Sequence, residues 1–261
     1  MLYKKFKHEQ INNCTLVNGD CLEVMDDMIE NGIKVDAVIC DPPYQITACK
    51  WDKMIPFDDM WERLNKLIKP NSAIVLFGNE PFSSALRMSN IKNYKYDWVW
   101  EKAVGSNFAV CKYQPLKEHE NIIIFSNNRH NYYPIKEPRK GAGAKRLKNE
   151  YKSNGTKTEV TGMTSNRKGK KYDELKNPSS VQYFNNRDKY RGLHPTQKPI
   201  ALMEYLIKTY TNEGKLILDF TAGSFSTCVA AENTNRRSIG IELEEKYYNI
   251  GIERLKCCMK N

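Results

Sequence analysis

Apolar residues fall along this chain in two rhythms. Short unbroken runs recur at 35–40 (VDAVIC), 73–77 (AIVLF), 121–125 (NIIIF) and 216–218 (LIL). Runs of this length bounded by polar or turn residues predict strands buried on both faces. The aromatic-rich stretch 94–101 (YKYDWVWE) predicts one more strand. Elsewhere the spacing changes. Phe57, Met60, Trp61, Leu64, Leu67 and Ile68 recur at the three-and-four spacing of a helix face, and Pro70-Asn71 is expected to end that helix. A second helix is predicted from about Pro199 to Tyr210, with Ile200, Met203, Leu206, Ile207 and Tyr210 as its apolar stripe. A third starts near Glu244 and is expected to turn Tyr247, Ile250 and Leu255 inward. Buried strands alternating with such helices predict an α/β protein with a mostly parallel sheet. Its 261 residues suit one domain, or one domain carrying an inserted lobe.

Residues 129–172 break the pattern. They hold thirteen basic residues and three acidic ones, so this segment carries the whole formal excess of +10 and the rest of the chain is close to neutral. Glycines at 141, 143, 155, 162 and 169 interrupt any long element, and Tyr132, Tyr133, Tyr151 and Tyr172 are interleaved. Such a run is either a solvated surface insert or a lobe that holds a phosphate backbone. The concentration of all the excess charge in one place favours the second, because counterion release scales with the phosphates neutralised locally. The candidates for phosphate contact are Arg139, Lys140, Lys145, Arg146, Lys148, Arg167, Lys168, Lys170 and Lys171. Charge of this kind supplies affinity and does not say which bases are read.

Eight cysteines and four histidines form no CxxC pair and show no metal-site spacing, so no metal is expected. Reduced thiols in a cytoplasmic protein are the simpler reading. The opening MLYKKFKHEQINN has no apolar core of signal-peptide length, and no apolar run approaches a membrane span.

The segment 36–44, DAVICDPPY, is the strongest chemical signal. A strand runs into Asp41-Pro42-Pro43-Tyr44. The two prolines stop the strand, stiffen the turn and offer no N–H there. An acid and an aromatic ring are thereby held at the carboxyl end of a buried strand, the edge at which open α/β sheets bind ligands. The unremarkable alternative is a proline turn with a packed tyrosine.

DPPY resembles the catalytic motif of the amino-group DNA methyltransferases of the beta type, in which the catalytic motif precedes the cofactor motif. Other segments resemble that family in the same order: Asn18-Gly19-Asp20-Cys21 with Leu22, the stretch from Trp51 to Gly78, HPTQKP at 194–199, ILDFTAGSFST at 217–227 and IGIELEEKYY at 239–248. Together they cover the chain except the basic insert and the termini. The resemblance implies a class I S-adenosylmethionine-dependent methyltransferase fold. Its sheet would be seven-stranded and mostly parallel with helices on both faces, its motif order circularly permuted, and a basic target-recognition lobe inserted at 127–193 of a single 1–261 domain. It implies transfer of a methyl group from S-adenosylmethionine to the N6 amine of an adenine turned out of double-stranded DNA, with no metal. A homodimer and a cognate restriction endonuclease are compatible partners, and a bacterial or phage-infected cytoplasm the expected setting.

By the same resemblance Asp41 accepts from the target amine, the carbonyl of Pro42 takes the second N–H, Pro43 stiffens the turn and Tyr44 stacks on the base. On the cofactor side the resemblance marks Asp20, Cys21, Asp219, Thr221, Ala222, Gly223, Ser224, Phe225, Ser226, Glu242 and Leu243. Helix N-terminal N–H groups after Gly223 are placed to receive the cofactor's carboxylate. Glu242 closes a strand where an acid can hold two ribose hydroxyls. Thr196 and Lys198 line the cofactor site or brace the catalytic loop, and His194 is read as structural. The loop 45–56, with Trp51, is a candidate cover for the flipped base. No further DNA-binding domain is expected after the last helix, so specificity is expected to come from within about 127–193, with help from the loop after Tyr44.

The chain departs from its relatives at the cofactor loop. Phe225 stands where many have glycine, and Cys228 at another commonly small position. The ring is expected either to fold over the cofactor or to fill part of its pocket. Three other readings stay open: cytosine-N4 transfer on the same fold, for which a serine at position 41 is more typical; a catalytically impaired DNA-binding relative; and an RNA or protein-glutamine acceptor.

Overall fold

The computed structural model describes residues 3–45, 52–152, 155, 164, 166, 168–187, 192–193 and 196–258. The chain divides into two compact units, Met1–Tyr133 with Ser180–Asn261, and Pro134–Ser179. The first begins with β1 (Lys7–Ile11), β2 (Cys14–Asn18), α1 (Cys21–Glu30), β3 (Val35–Cys40), α2 (Phe57–Leu67), β4 (Ile68–Gly78), α3 (Phe82–Ser89), β5 (Tyr94–Ser106) and β6 (Lys117–Phe125). The second holds β7 (Glu137–Pro138), α4 (Ala142–Lys145) and β8 (Leu175–Lys176). The first unit resumes with β9 (Val181–Phe184), α5 (Ile200–Tyr210), β10 (Leu216–Asp219), α6 (Ser226–Asn233), β11 (Arg237–Glu242) and α7 (Glu245–Cys258).

The large unit is one nine-stranded sheet in the order β1-β2-β11-β10-β3-β4-β6-β5-β9. Strands β2, β11, β10, β3 and β4 pair in parallel, as do β5 and β9, while β1 and β6 run against their neighbours. The sheet therefore has nine strands where seven were expected, with β1 and β9 at its two edges. Successive side chains of β3 and β4 alternate between faces, as a pleated strand requires. Val38, Cys40, Ile74 and Leu76 join Val24, Met25 and Met28 of α1 and Met60, Trp61 and Leu64 of α2 in one core. Ala37, Ile39, Val75 and Phe77 join Leu202, Met203, Leu206 and Tyr210 of α5 in the other. Helices therefore cover both faces.

Three expectations shift. Pro70 and Asn71 lie inside β4 near its start instead of ending α2. The ladder with β3 is irregular there, passing from Val35–Ile68 to Ala37–Ala73, and the missing N–H of a proline is harmless where no ladder bond is made. The strand therefore begins at Ile68, directly after α2. In α7 the inward residues are Tyr248, Ile252 and Leu255, offset from the expected Tyr247 and Ile250. Periodicity did not foresee α1, which Asp20 starts by accepting from the Leu22 N–H at 2.8 Å.

Phe225 caps α6 in the left-handed region at φ 59°. That costs a non-glycine residue about 1–2 kcal/mol. The ring offsets the cost by full burial among Tyr248, Cys228, Val229 and Leu16. Two glycines make room for it. A Cβ on Gly251 would lie 2.1 Å from the ring, and one on Gly240 2.7 Å. Gly251→Ala is therefore expected to destabilise the protein by about 1–3 kcal/mol, the usual cost of overpacking. In a Phe225→Ala background the same change should cost little. Denaturant unfolding of the two single variants and the double variant checks this, and additive losses would show that the ring and Gly251 are not coupled.

Candidate active site

A parallel sheet puts the carboxyl ends of its strands along one edge, and here that edge is the site. The chain leaves β3 towards α2 and β4 on one side, and leaves neighbouring β10 towards α6 and β11 on the other. The two departing segments diverge and open a crevice between them. A cavity of about 920 Å³ fills it. Its lining comes from the ends of these strands: Gly19 and Asp20 after β2, Asp41 to Tyr44 after β3, Asn79 after β4, Phe220 to Ser224 after β10, and Glu242 to Glu244 after β11. Strand β6 runs the other way, so its beginning, with Glu120, reaches the same edge.

Asp41 follows the last residue of β3 directly. Its backbone carbonyl accepts from the Thr221 hydroxyl at 3.0 Å, and that hydroxyl also meets the Cys40 sulfur at 2.9 Å. The turn after β3 is thus tied to the turn after β10. One carboxylate oxygen of Asp41 accepts from the Tyr44 hydroxyl, the other from Lys198 Nζ. The Tyr44 ring packs on Phe82, with centroids 4.9 Å apart. Burial pushes the Asp41 pKa up, and the Lys198 ammonium opposes that. A carboxylate has about four lone-pair sites, so two donors leave Asp41 able to accept from a third.

The ends of β10 and β11 are built with the same economy. Asp219 is buried at the end of β10, where its carboxylate accepts from the Thr227 hydroxyl at 2.5 Å and the Thr221 N–H at 3.3 Å. Burial pushes its pKa up to about 6. Glu242, 8% exposed, accepts from the Gly223 N–H and the Glu244 N–H, each at 2.8 Å, and burial pushes it up to about 7. The cavity is of a size that takes a nucleoside-bearing ligand. Gly223, at φ +55°, keeps the turn open without a side chain. Two buried acids, a glycine turn and the amino end of α6 fit S-adenosylmethionine: acceptors for hydroxyls and an ammonium, and N–H groups for a carboxylate.

All four residues of the DPPY turn line this cavity, as do Asp20, Cys21, Thr196, Lys198, Asp219, Thr221, Ala222, Gly223, Ser224, Ser226, Glu242 and Leu243. Phe225 does not. Its ring faces away into the core beside α7, so it neither covers nor fills the pocket. Lys198 both lines the cavity and contacts the Asp41 carboxylate, so it is placed for either of its two expected roles. Of the loop 45–56, Asp52 to Pro56 line the cavity and Asp52 accepts from the Gln45 N–H at 2.8 Å. Trp51, His194 and Arg167 lie outside the described residues.

In the small unit Lys140, Lys145, Arg146, Lys148, Lys168, Lys170 and Lys171 are exposed. Arg139 is used internally instead, donating to the Asp173 carbonyl at 2.7 Å and lying over the Tyr172 ring, which itself stacks on Tyr151. Sequence reasoning missed Trp100, Lys102 and Glu120. No signal singled them out, because β5 also carries Lys95, Asp97 and Glu101 and β6 begins with Lys117 and Glu118. Among the described residues no helix is long and apolar enough to cross a membrane, and no cluster of acids, histidines and cysteines has metal-site geometry.

Comparison with known proteins agrees with this geometry. A family model described as DNA methylase, covering N6 and N4 methyltransferases, matches residues 35–253. The chain is 26% identical to the DNA adenine methyltransferase YhdJ of Escherichia coli K12, over 92% of this chain and 82% of that protein. Among solved structures it is similar to the M1.HpyAVI–SAM complex, with TM-score 0.64 and 23% identity over 92% of this chain and 99% of that one. It is also similar to the cytosine-N4-specific PvuII DNA methyltransferase, with TM-score 0.64 and 14% identity over 96% and 93%.

The raised acids have a measurable consequence. A carboxyl whose folded pKa lies above its unfolded value stabilises the fold fully below the unfolded pKa, and loses that contribution as pH rises through the folded one. For Glu242 the window runs from its ordinary 4.5 to about 7. Without cofactor, stability should fall across this window by up to about 3 kcal/mol from this residue. Glu242→Gln should flatten that part of the profile in thermal unfolding at pH 4.5 to 7.5. An unchanged slope would show that Glu242 ionises freely in the folded protein.

Proposed function

The chain belongs to the DNA methylase family of N6 and N4 methyltransferases, and from that premise we propose that it methylates the N6 amine of adenine in double-stranded DNA. Its cofactor is S-adenosylmethionine. The observation that carries the reading is Asp41, a half-buried acid with acceptor capacity in reserve, held in the same cavity as the cofactor cradle. Serine at this position is more typical of cytosine-N4 relatives. The seven inner strands, β2-β11-β10-β3-β4-β6-β5, support a class I methyltransferase sheet in permuted chain order, with β3 preceding β10.

An exocyclic amine is a weak nucleophile because its lone pair is shared with the ring. S-adenosylmethionine supplies an electrophilic methyl group on sulfur. The chain's own task is to orient the amine. Asp41 accepts one N–H, and the Pro42 carbonyl accepts the other. Both favour a pyramidal nitrogen with its lone pair free. Tyr44 offers its ring to the face of the base. Thr221, bonded to the Asp41 backbone, keeps these acceptors fixed relative to the loop that holds the cofactor. Such alignment is a proximity and preorganisation effect. A base inside a duplex is out of reach of this cavity, so it must be turned out. The exposed lysines and arginines of the small unit supply the contact with phosphates.

The test is to incubate the protein with labelled S-adenosylmethionine and mixed-sequence duplex DNA, digest the product and identify the nucleoside. N6-methyladenine is expected. N4-methylcytosine would keep the fold and overturn the base, and label in RNA alone would overturn the substrate. In the same assay, removal of 140–171 should abolish site-specific transfer. Unchanged specificity would take target recognition away from that segment.

A further inference from the structure

Two more buried charges stand at the catalytic edge that the transfer chemistry does not use. Lys102 of β5 pairs with Glu120 Oε1 of β6. Glu120 Oε2 lies 3.3 Å from Lys198 Nζ, and Lys198 in turn pairs with Asp41 Oδ2. The side chains of Lys102, Glu120 and Lys198 are 7%, 10% and 7% exposed. Four charges therefore alternate in a line that ends on the catalytic acid. Aromatic rings floor it, with Lys102 Nζ 5.2 Å from the Trp100 centroid and Lys198 Nζ 5.1 Å from that of Phe77.

Stability does not account for this line. A lysine and Asp41 alone would already neutralise each other. Adding a second buried pair brings a desolvation cost that well-packed apolar residues would avoid. What the second pair does is compete. Glu120 and Asp41 face the same ammonium, and Lys102 limits how strongly Glu120 draws it away.

We propose that Glu120 is a positioning residue which, restrained by Lys102, divides Lys198 between two carboxylates and so sets how strongly Asp41 accepts the substrate amine. This rests on the reading of Asp41 as the amine's acceptor. A lysine held by Asp41 alone would draw electron density from its oxygens and weaken it as an acceptor. A lysine held by Glu120 alone would leave Asp41 unpaired in a buried site, where it takes up a proton and stops accepting. The shared position avoids both.

The titratable groups facing Asp41 come from several elements: Lys198 before α5, Glu120 on β6, Asp219 at the end of β10, and the neutral Tyr44 and Cys40 on its own segment. Lys102 acts through Glu120. Burial raises the Asp41 pKa, Lys198 lowers it, and Glu120 raises it. Burial alone would make Lys198 easier to deprotonate, but the two carboxylates outweigh it and hold it charged. Burial likewise favours a neutral Glu120, and the two lysines outweigh it.

The two neighbours should therefore move the acid limb of the rate profile in opposite directions. In Glu120→Gln, Lys198 belongs to Asp41 alone, so the acid limb of kcat moves to lower pH and kcat at neutral pH falls. The fall should be roughly 10–100-fold, as for other groups that orient a catalytic residue from behind. In Lys102→Met, Glu120 draws Lys198 off Asp41 and the limb moves to higher pH. The affinity for S-adenosylmethionine, measured by calorimetry, should stay within about twofold, well under one RT-scaled decade of 1.4 kcal/mol. Glu120→Asp should recover part of the rate. If Lys102→Met or Glu120→Gln does not fold, Lys102→Gln and Glu120→Ala carry the same opposed shifts. Limbs that move together, or do not move, in folded variants that bind cofactor would overturn the proposal. A wild-type protein that transfers no methyl group to DNA would instead overturn the function proposed above, so the two failures are separable.

Discussion

Strands β3 and β10 lie side by side, Ala37 against Ile217 and Val38 against Leu218, although most of the chain separates them. The site depends on this pairing. Parallel neighbours end at the same edge, so Asp41 and Asp219, which follow or close these strands, emerge together. Helices α2 and α6 then leave on opposite faces, and the gap between their approaches becomes the cavity. The Thr221 hydroxyl bridges the two turns directly. Two turns distant in sequence are thereby tied together at one edge of the sheet.

The buried acids show what that arrangement demands. Asp41, Asp219 and Glu242 all sit where water would normally support a carboxylate, and each is supported by the protein instead. Asp219 and Glu242 use hydroxyls and backbone N–H groups of the cofactor turn. Asp41 uses a lysine and a tyrosine. The difference suits their tasks. Neutral donors leave an acid able to exchange partners with a ligand, whereas a paired cation keeps a buried acid ionised. The left-handed backbone of Phe225 belongs to the same turn, and its ring, locked between Gly240 and Gly251, fixes the turn from behind.

Much of this was legible in the sequence because the core strands are unbroken apolar runs and the prolines of DPPY mark where β3 stops. The order of the family motifs picked out the turn after β10 and Glu242, which line the same cavity as the DPPY turn. What stayed hidden depended on tertiary contacts. The consequence of Phe225 could not be read without knowing that two glycines, far off in sequence, face its ring. The extension of β4 through Pro70 needed the irregular register with β3. Lys102 and Glu120 look like ordinary strand charges until β5 and β6 pair and bring them to the edge that holds Lys198. The small unit was visible as a charge excess, yet Arg139 turned inward to Tyr172 and the Asp173 carbonyl, a distinction composition cannot make.

The central claim is that one cavity holds two separable functions, cofactor binding at the β10 and β11 ends and amine orientation by Asp41 at the β3 end. The most direct measurement is Asp41→Ala, with S-adenosylmethionine affinity by calorimetry and methyl transfer to duplex DNA by label incorporation on the same preparation. The account predicts cofactor affinity within a few-fold of wild type and a loss of transfer of at least about 10²–10³-fold, the scale of removing one preorganised hydrogen-bonding group. Transfer that survives, or cofactor binding that is lost in step with it, would contradict the account.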